Sequence, residues 1–118
     1  MKKIINSFLL AIVSTIAFSN ERLTNDKVFD SLRKISKEYR YHGQFDSVLL
    51  MEYKINEVAK KKGNLYEEIF SYIILSNIYI NIQELDKANK NLKIAENMLS
   101  KNSDYFLLTR LYTEFSKM

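Results

Sequence analysis

His42 is the only histidine of the chain, and it stands beside Gly43 with no acid or nucleophile close to it in sequence. A general base needs a proton within reach and a partner to orient it, so this histidine reads as a solvated turn residue. Metal sites ordinarily draw on two or more His or Cys ligands, and cysteine is absent altogether. That absence also removes disulfides and a thiolate nucleophile. With glycine only at Gly43 and Gly63, no phosphate-cradling loop can be drawn. Glu67, Glu68 and Asp86 fall where solvated helix faces and cap positions are expected. Lys60-Lys61-Lys62 would suit a phosphate, but directly before Gly63-Asn64 it reads better as three cations over a helix C-terminus. The residues give no catalytic constellation. The expectation is a protein that is not an enzyme and uses neither cofactor nor metal.

The elements around these residues are helical. Proline is absent and glycine appears twice, so little interrupts a chain rich in Lys, Glu, Leu and Ile. Apolar periodicity predicts five helices, at about 26–41, 45–62, 65–82, 85–101 and 104–117. Thr24-Asn25-Asp26 and Ser103-Asp104 supply N-cap oxygens. The connections are short, so successive helices must run antiparallel. Ser71 to Leu75 is rich in β-branched and aromatic residues, yet its apolar character continues to Ile80 on all sides. That suits a helix buried on several faces in the middle of a stack.

A spacing recurs three times along these helices: Leu32-x2-Ile35-Ser36-x2-Tyr39, Tyr72-x2-Leu75-Ser76-x2-Tyr79 and Tyr105-x2-Leu108-Thr109-x2-Tyr112. Each copy reads large, apolar, small, aromatic. The small residue lets a second helix approach, and the large ones fill the space beside it. Recurrence at this interval signals stacked helical hairpins, and a stack of hairpins is a scaffold or binding surface before it is an active site.

The first nineteen residues read differently. Lys2 and Lys3 precede an uncharged apolar run from Ile4 to Phe18, closed by Ala17-Phe18-Ser19. This is the layout of a secretory signal peptide with a cut after Ser19, and the run is shorter than the roughly 20 residues that span a bilayer. Residues 20–118 are then the helical domain, exported to a periplasm, cell envelope or medium. An uncleaved leader would instead anchor the chain to a membrane. Of the 18 basic and 14 acidic side chains, two basic ones lie in the leader, so the net charge of +4 falls to +2 without it. Interspersed charge of that size makes no case for nucleic acid.

With these residues in place, the chain resembles the tetratricopeptide repeats. The middle unit matches the aromatic, leucine and small positions of the family's first helix through Tyr72, Leu75, Ser76 and Tyr79. It matches the second helix through Leu85-x2-Ala88-x3-Leu92-x2-Ala95, where the alanines allow helices to cross closely. The first unit matches through Leu32, Ile35, Ser36 and Tyr39, then Gly43-x-Phe45-x2-Val48. It departs at Glu52, where a bulky apolar group is expected and Met51 or Tyr53 would fill the space. The third unit has a first helix only. The family's usual proline, tryptophan and first-helix glycine are missing. The resemblance covers about residues 29–118 and implies an all-α fold, antiparallel helical hairpins stacked as an α-solenoid of two units and a half. It assigns Leu32, Ile35, Tyr39, Phe45, Tyr72, Leu75, Tyr79, Ala88, Leu92 and Ala95 to packing between helices.

The same resemblance implies that the first helices of the units line a groove for an extended peptide. Asp30, Arg33, Lys37, Arg40 and Tyr41 would face it from the first unit, and Phe70, Ile73, Asn77, Ile80 and Asn81 from the second. Of these, Arg33, Lys37, Arg40 and Tyr41 with Asn77 and Asn81 are the candidate peptide contacts: cations for acidic groups, amides for peptide backbone. The alternative is that the cations are simply a wet helix face. Phe106, Leu107, Leu108, Leu111, Tyr112 and Phe115 make the final helix too apolar for a solvating cap. Either further repeats follow or another copy covers it. The expected function is an exported protein–protein interaction module, resembling the sensory N-terminal part of bacterial membrane-bound regulators. The alternative is a small helical protein that self-associates through its last helix.

Overall fold

Asp26 opens the first helix by accepting a hydrogen bond from the Val28 amide at 2.9 Å, and the same device recurs wherever an Asx residue precedes a helix. The computed structural model describes residues 26–100 and 104–118. They form α1 (Lys27–Tyr41), α2 (Phe45–Lys62), α3 (Leu65–Asn81), α4 (Leu85–Leu99) and α5 (Tyr105–Ser116), with no strand among the described residues. The leader, Thr24, Asn25, Lys101 and Ser103 lie outside the described residues. Asn64 caps α3 through the Glu67 amide and Asp104 caps α5 through the Leu107 amide, both at 3.1 Å. Each cap satisfies an amide that the first turn leaves without a partner.

The first three connections share one geometry. Gly43, Gly63 and Gln83 take φ of 69°, 68° and 63°. In each the next amide reaches back to a carbonyl in the last helical turn: Gln44 to Tyr39, Asn64 to Ala59 and Glu84 to Tyr79. Left-handed backbone is what glycine adopts without cost, so Gln83 stands in a position better suited to glycine.

Successive helices pack antiparallel, as the short connections require. Phe29 near the start of α1 meets Ile55 and Ala59 near the end of α2. Tyr39 near the end of α1 meets Phe45 and Val48 at the start of α2. Ala88, Leu92 and Ala95 on α4 have no exposed surface and lie against α3, with Leu75 and Tyr79 at one end and Ile69 and Ile73 at the other. α3 carries eight buried residues because α2, α4 and α5 all pack on it. The β-branched run at Ser71–Leu75 is therefore helical, overridden by burial on several faces.

Two packing expectations change in the first unit. Ile35 is 41 % exposed, because the buried stripe of α1 runs through Phe29, Leu32, Ser36 and Tyr39, and Ile35 lies off it. On α3 the equivalent Leu75 is covered because that helix has neighbours on more sides. The second change is Glu52. Glu52 itself has no exposed surface, while Tyr53 is half exposed and Met51 packs against the Phe29, Ile55 and Ala59 cluster.

Candidate functional site

Glu52 reaches the interior because α1 supplies its partners. Arg33 Nη1 donates to both of its carboxylate oxygens, one contact very short and the other 2.9 Å. Ser36 Oγ donates at 3.0 Å. The same guanidinium donates from Nε to Glu67 Oε2 at 2.7 Å and from Nη2 to the Glu67 carbonyl at 3.3 Å. One arginine thus ties α1 to α2 and α3. A buried carboxylate without partners would be costly, and this one is satisfied. Burial pushes the Glu52 carboxyl above its ordinary value, opposed by the charge and hydrogen bonds of Arg33, the Ser36 hydroxyl and the Arg40 charge.

α5 repeats the device further along. Glu114 is buried, yet Asn77 Nδ2 donates to its two oxygens at 3.0 and 3.2 Å and Lys117 pairs with it at 3.1 Å. Asn81 donates to Asn77 Oδ1 at 3.4 Å. α1, α3 and α5 are therefore linked in sequence by polar contacts on one face: Arg33 to Glu67, then Asn77 to Glu114.

Between these links lies an aromatic floor. Tyr66, Phe70 and Phe106 lie with ring centroids 6.0–6.5 Å apart. The Arg33 guanidinium stands 4.5 Å from the centre of the Phe70 ring and the Arg110 guanidinium 5.9 Å from it. Phe106 remains half exposed. Arg40, two turns beyond Arg33, shares the face. Burial lowers its pKa most, the Glu52 charge opposes that, and the Arg33 and Arg110 charges lower it further. The Nε atoms of Arg40 and Arg110 are buried with no hydrogen-bond partner among the described residues.

The predicted groove residues divide accordingly. Arg33, Arg40 and Asn77 share this face, with Asn81 at its edge. Arg33 is committed to Glu52 and Glu67, and the Asn77 amide to Glu114, so neither stands free as the groove reading supposed. Lys37 and Tyr41 are solvent-facing. They border a shallow surface with Lys34, Glu38 and His42, and the Tyr41 ring meets His42 edge-on at 5.3 Å. Glu67, expected on a wet face, is an ion-pair partner instead.

Sequence reasoning missed Arg110, Glu114 and Phe106 as members of the face. The available signal was their spacing on α5: four residues apart, opposite the flank that carries Tyr105 and Tyr112. A separate cleft between α2, α3 and α4 is lined by Tyr53, Tyr79, Lys87, Lys90 and Asn91. There the two tyrosine hydroxyls hydrogen-bond at 2.5 Å, and burial and the Tyr79 hydroxyl push Tyr53 up to about 12.

Among the described residues no group of three His, Cys, Asp or Glu could hold a metal ion, and no helix is long and apolar enough to cross a membrane. Compared with known proteins, the chain matches no family model, no curated protein and no solved structure.

Proposed function

We propose that this chain is a protein-interaction module that receives an extended peptide segment on the face shared by α1, α3 and α5. The observation that carries the reading is that Arg110 stands over the Phe70–Phe106 aromatic floor between α3 and α5, with Arg40 of α1 close enough to feel the Arg110 charge and neither arginine in an ion pair among the described residues. Cations and an exposed aromatic side by side suit a mixed polar and apolar segment. The repeat spacing supports the same reading, as does the likeness to tetratricopeptide repeats, which implies a solenoid with such a groove. The leader-like residues 1–19 support export, and with it the reading as the sensory segment of a membrane-bound regulator.

Selection from a random peptide library, followed by chemical-shift mapping of a selected peptide, tests the assignment. Shifts centred on Arg40, Phe70, Asn77 and Arg110 are expected. Shifts confined to other faces, or no peptide selected above background, would remove it.

A second reading rests on a different observation. Tyr105 and Tyr112 on α5 are 81 % and 58 % exposed, although their spacing matches the packing face of the earlier units. A homodimer through this flank would bury them, and sedimentation equilibrium would show it as a defined two-chain species.

A further inference from the structure

We propose that the cleft between α2, α3 and α4 binds a phosphate group, free or as the monoester of a small molecule. The Tyr53 and Tyr79 hydroxyls and the Lys87 and Lys90 ammonium groups would hold it. The site shares no residue with the peptide face and does not depend on it.

Three helices bring donors to this cleft of about 420 Å³. α2 supplies Tyr53, α3 supplies Tyr79, and α4 supplies Lys87, Lys90 and Asn91. The two tyrosine hydroxyls share one hydrogen bond of 2.5 Å. Whichever of them donates, the hydrogen of the other has no acceptor among the described residues. Tyr79 is only 7 % exposed, and a donor left unpaired in such surroundings is unfavourable. Tyr53, pushed up to about 12, keeps its proton in neutral solution, so both phenols are available as donors.

The lysines are equally uncommitted. The Lys87 ammonium lies 5.7 Å from the centre of the Tyr79 ring, and neither Lys87 nor Lys90 makes an ion pair among the described residues. The carboxylates nearest in sequence do not compensate them. Glu57, one turn along α2 from Tyr53, pairs with Lys61 at 3.2 Å. Glu84 and Asp86 on the α4 side are exposed and pair with neither lysine. No carboxylate lines the cleft. Asn91 donates its amide to the Lys87 carbonyl at 2.9 Å.

That balance decides the ligand. A lining of two ammonium groups and a spare phenolic hydrogen calls for an oxyanion. Two uncompensated cations match the nearly two negative charges of a phosphate monoester, whereas a carboxylate would leave one of them unmatched. Tetrahedral oxygens can also meet donors that arrive from three helices, which the two oxygens of a planar carboxylate cannot. The half-exposed Tyr53 ring offers apolar surface to the group that carries the phosphate.

Titration of the intact protein followed by NMR chemical shifts tests the proposal. The probes are phenyl phosphate, inorganic phosphate, phenyl sulfate with the same shape and one charge, and benzoate. Saturable shifts centred on Tyr53, Tyr79, Lys87 and Lys90 are expected. Phenyl phosphate should bind at least about fivefold tighter than phenyl sulfate or benzoate, by the added charge-assisted contact. Its affinity should rise as pH passes about 6, where the second phosphate proton leaves, and that of phenyl sulfate should not. Lys87→Gln and Lys90→Gln should each weaken phenyl phosphate about three- to tenfold, and Tyr79→Phe should weaken it too. Lys93→Gln, on the same helix but 3.9 Å from Glu96, should leave it unchanged. Tighter binding of phenyl phosphate than of inorganic phosphate identifies a monoester, and the reverse identifies the free anion.

Equal binding of phenyl phosphate, phenyl sulfate and benzoate would overturn the site. Absence of saturable shifts, or shifts that persist unchanged in both lysine variants, would overturn it as well. Should Tyr79→Phe unfold, Tyr53→Phe removes the other hydroxyl of the pair, and unweakened binding there would remove the phenols from the site. None of these failures would touch the peptide face.

Discussion

Arg33 on α1 and Glu52 on α2 form an ion pair in which the carboxylate has no exposed surface and the arginine side chain only 19 %. It occupies the position where the resemblance to the repeat family implied a bulky apolar group. Removing one member strands the other. Arg33→Met should cost about 3–5 kcal/mol, the range for a buried charge that loses its partner. Urea denaturation would show it as a lowered midpoint with little change in slope. The double variant Arg33→Met, Glu52→Leu should recover most of the loss, because the charge and its partner leave together.

The pH dependence of stability should carry a mark of Glu52. Its carboxyl titrates above the ordinary 4.5 in the folded protein, so the folded state holds the proton more tightly than the unfolded chain does. The resulting stability is fully present below 4.5 and is lost as pH rises from there through the folded value. Glu52→Gln should remove that decline, and urea midpoints over the window would show a flatter profile. Asp26 has the opposite sign, held below 3.8 by the Lys62 side chain and the Val28 amide. Its stabilisation is present above 3.8 and lost below, so the two effects separate on the pH axis.

Asn77→Ala leaves the buried Glu114 carboxylate with Lys117 alone. The expected loss is about 1–3 kcal/mol, the cost of a buried polar group deprived of its hydrogen bonds. Asn81→Ala should change stability by less than about 0.5 kcal/mol, since that side chain is exposed. Thermal melts of the two variants side by side would separate the structural amide from its neighbour.

Gln83→Gly should stabilise the chain by up to about 1 kcal/mol, by relieving left-handed backbone that a side chain resists. Gly63→Ala is the mirror case. A methyl group there would meet nothing within 4 Å, so its cost is purely conformational, about 1–2 kcal/mol. A result in which both substitutions destabilise equally would contradict the φ assigned to Gln83.

At the α3–α4 crossing, Ala88→Leu or Ala95→Leu should lose about 1–3 kcal/mol through overpacking, because neither alanine has any exposed surface. Unchanged melting temperatures would show that the crossing can widen.

Apolar spacing and helix-end chemistry made the helices legible in the sequence. Asp26 and Asp104 announce starts, while Gly43 and Gly63 announce stops. Gln83 ends α3 with the same geometry and carries no such signal, so only the change in apolar pattern located that boundary, one residue late. Two of the three repeated small residues were legible too: Ser36 and Ser76 are buried, and Ser76 donates to the Ala88 carbonyl at 3.2 Å across the crossing, whereas Thr109 of the third copy is exposed. Glu52 and Glu114 were not legible. A carboxylate's burial depends on a partner many residues away, and no local pattern distinguishes it from one in water. Arg33, Arg40 and Asn77 could be placed on a face by helical arithmetic. Which of them were already engaged could not, because their partners sit on other helices.

The polar links along this face also bear on the order in which the chain assembles. Apolar packing joins mainly helices that follow one another, contacts that close over short stretches and form early. Arg33 to Glu67 and Asn77 to Glu114 span 34 and 37 residues and join every second helix. Each needs two helix pairs docked before its partners can meet, so both contacts belong to the last steps of folding. Their loss should then quicken unfolding while leaving the refolding rate nearly untouched. The same contacts that define the face would set the lifetime of the folded chain rather than the speed with which it is reached.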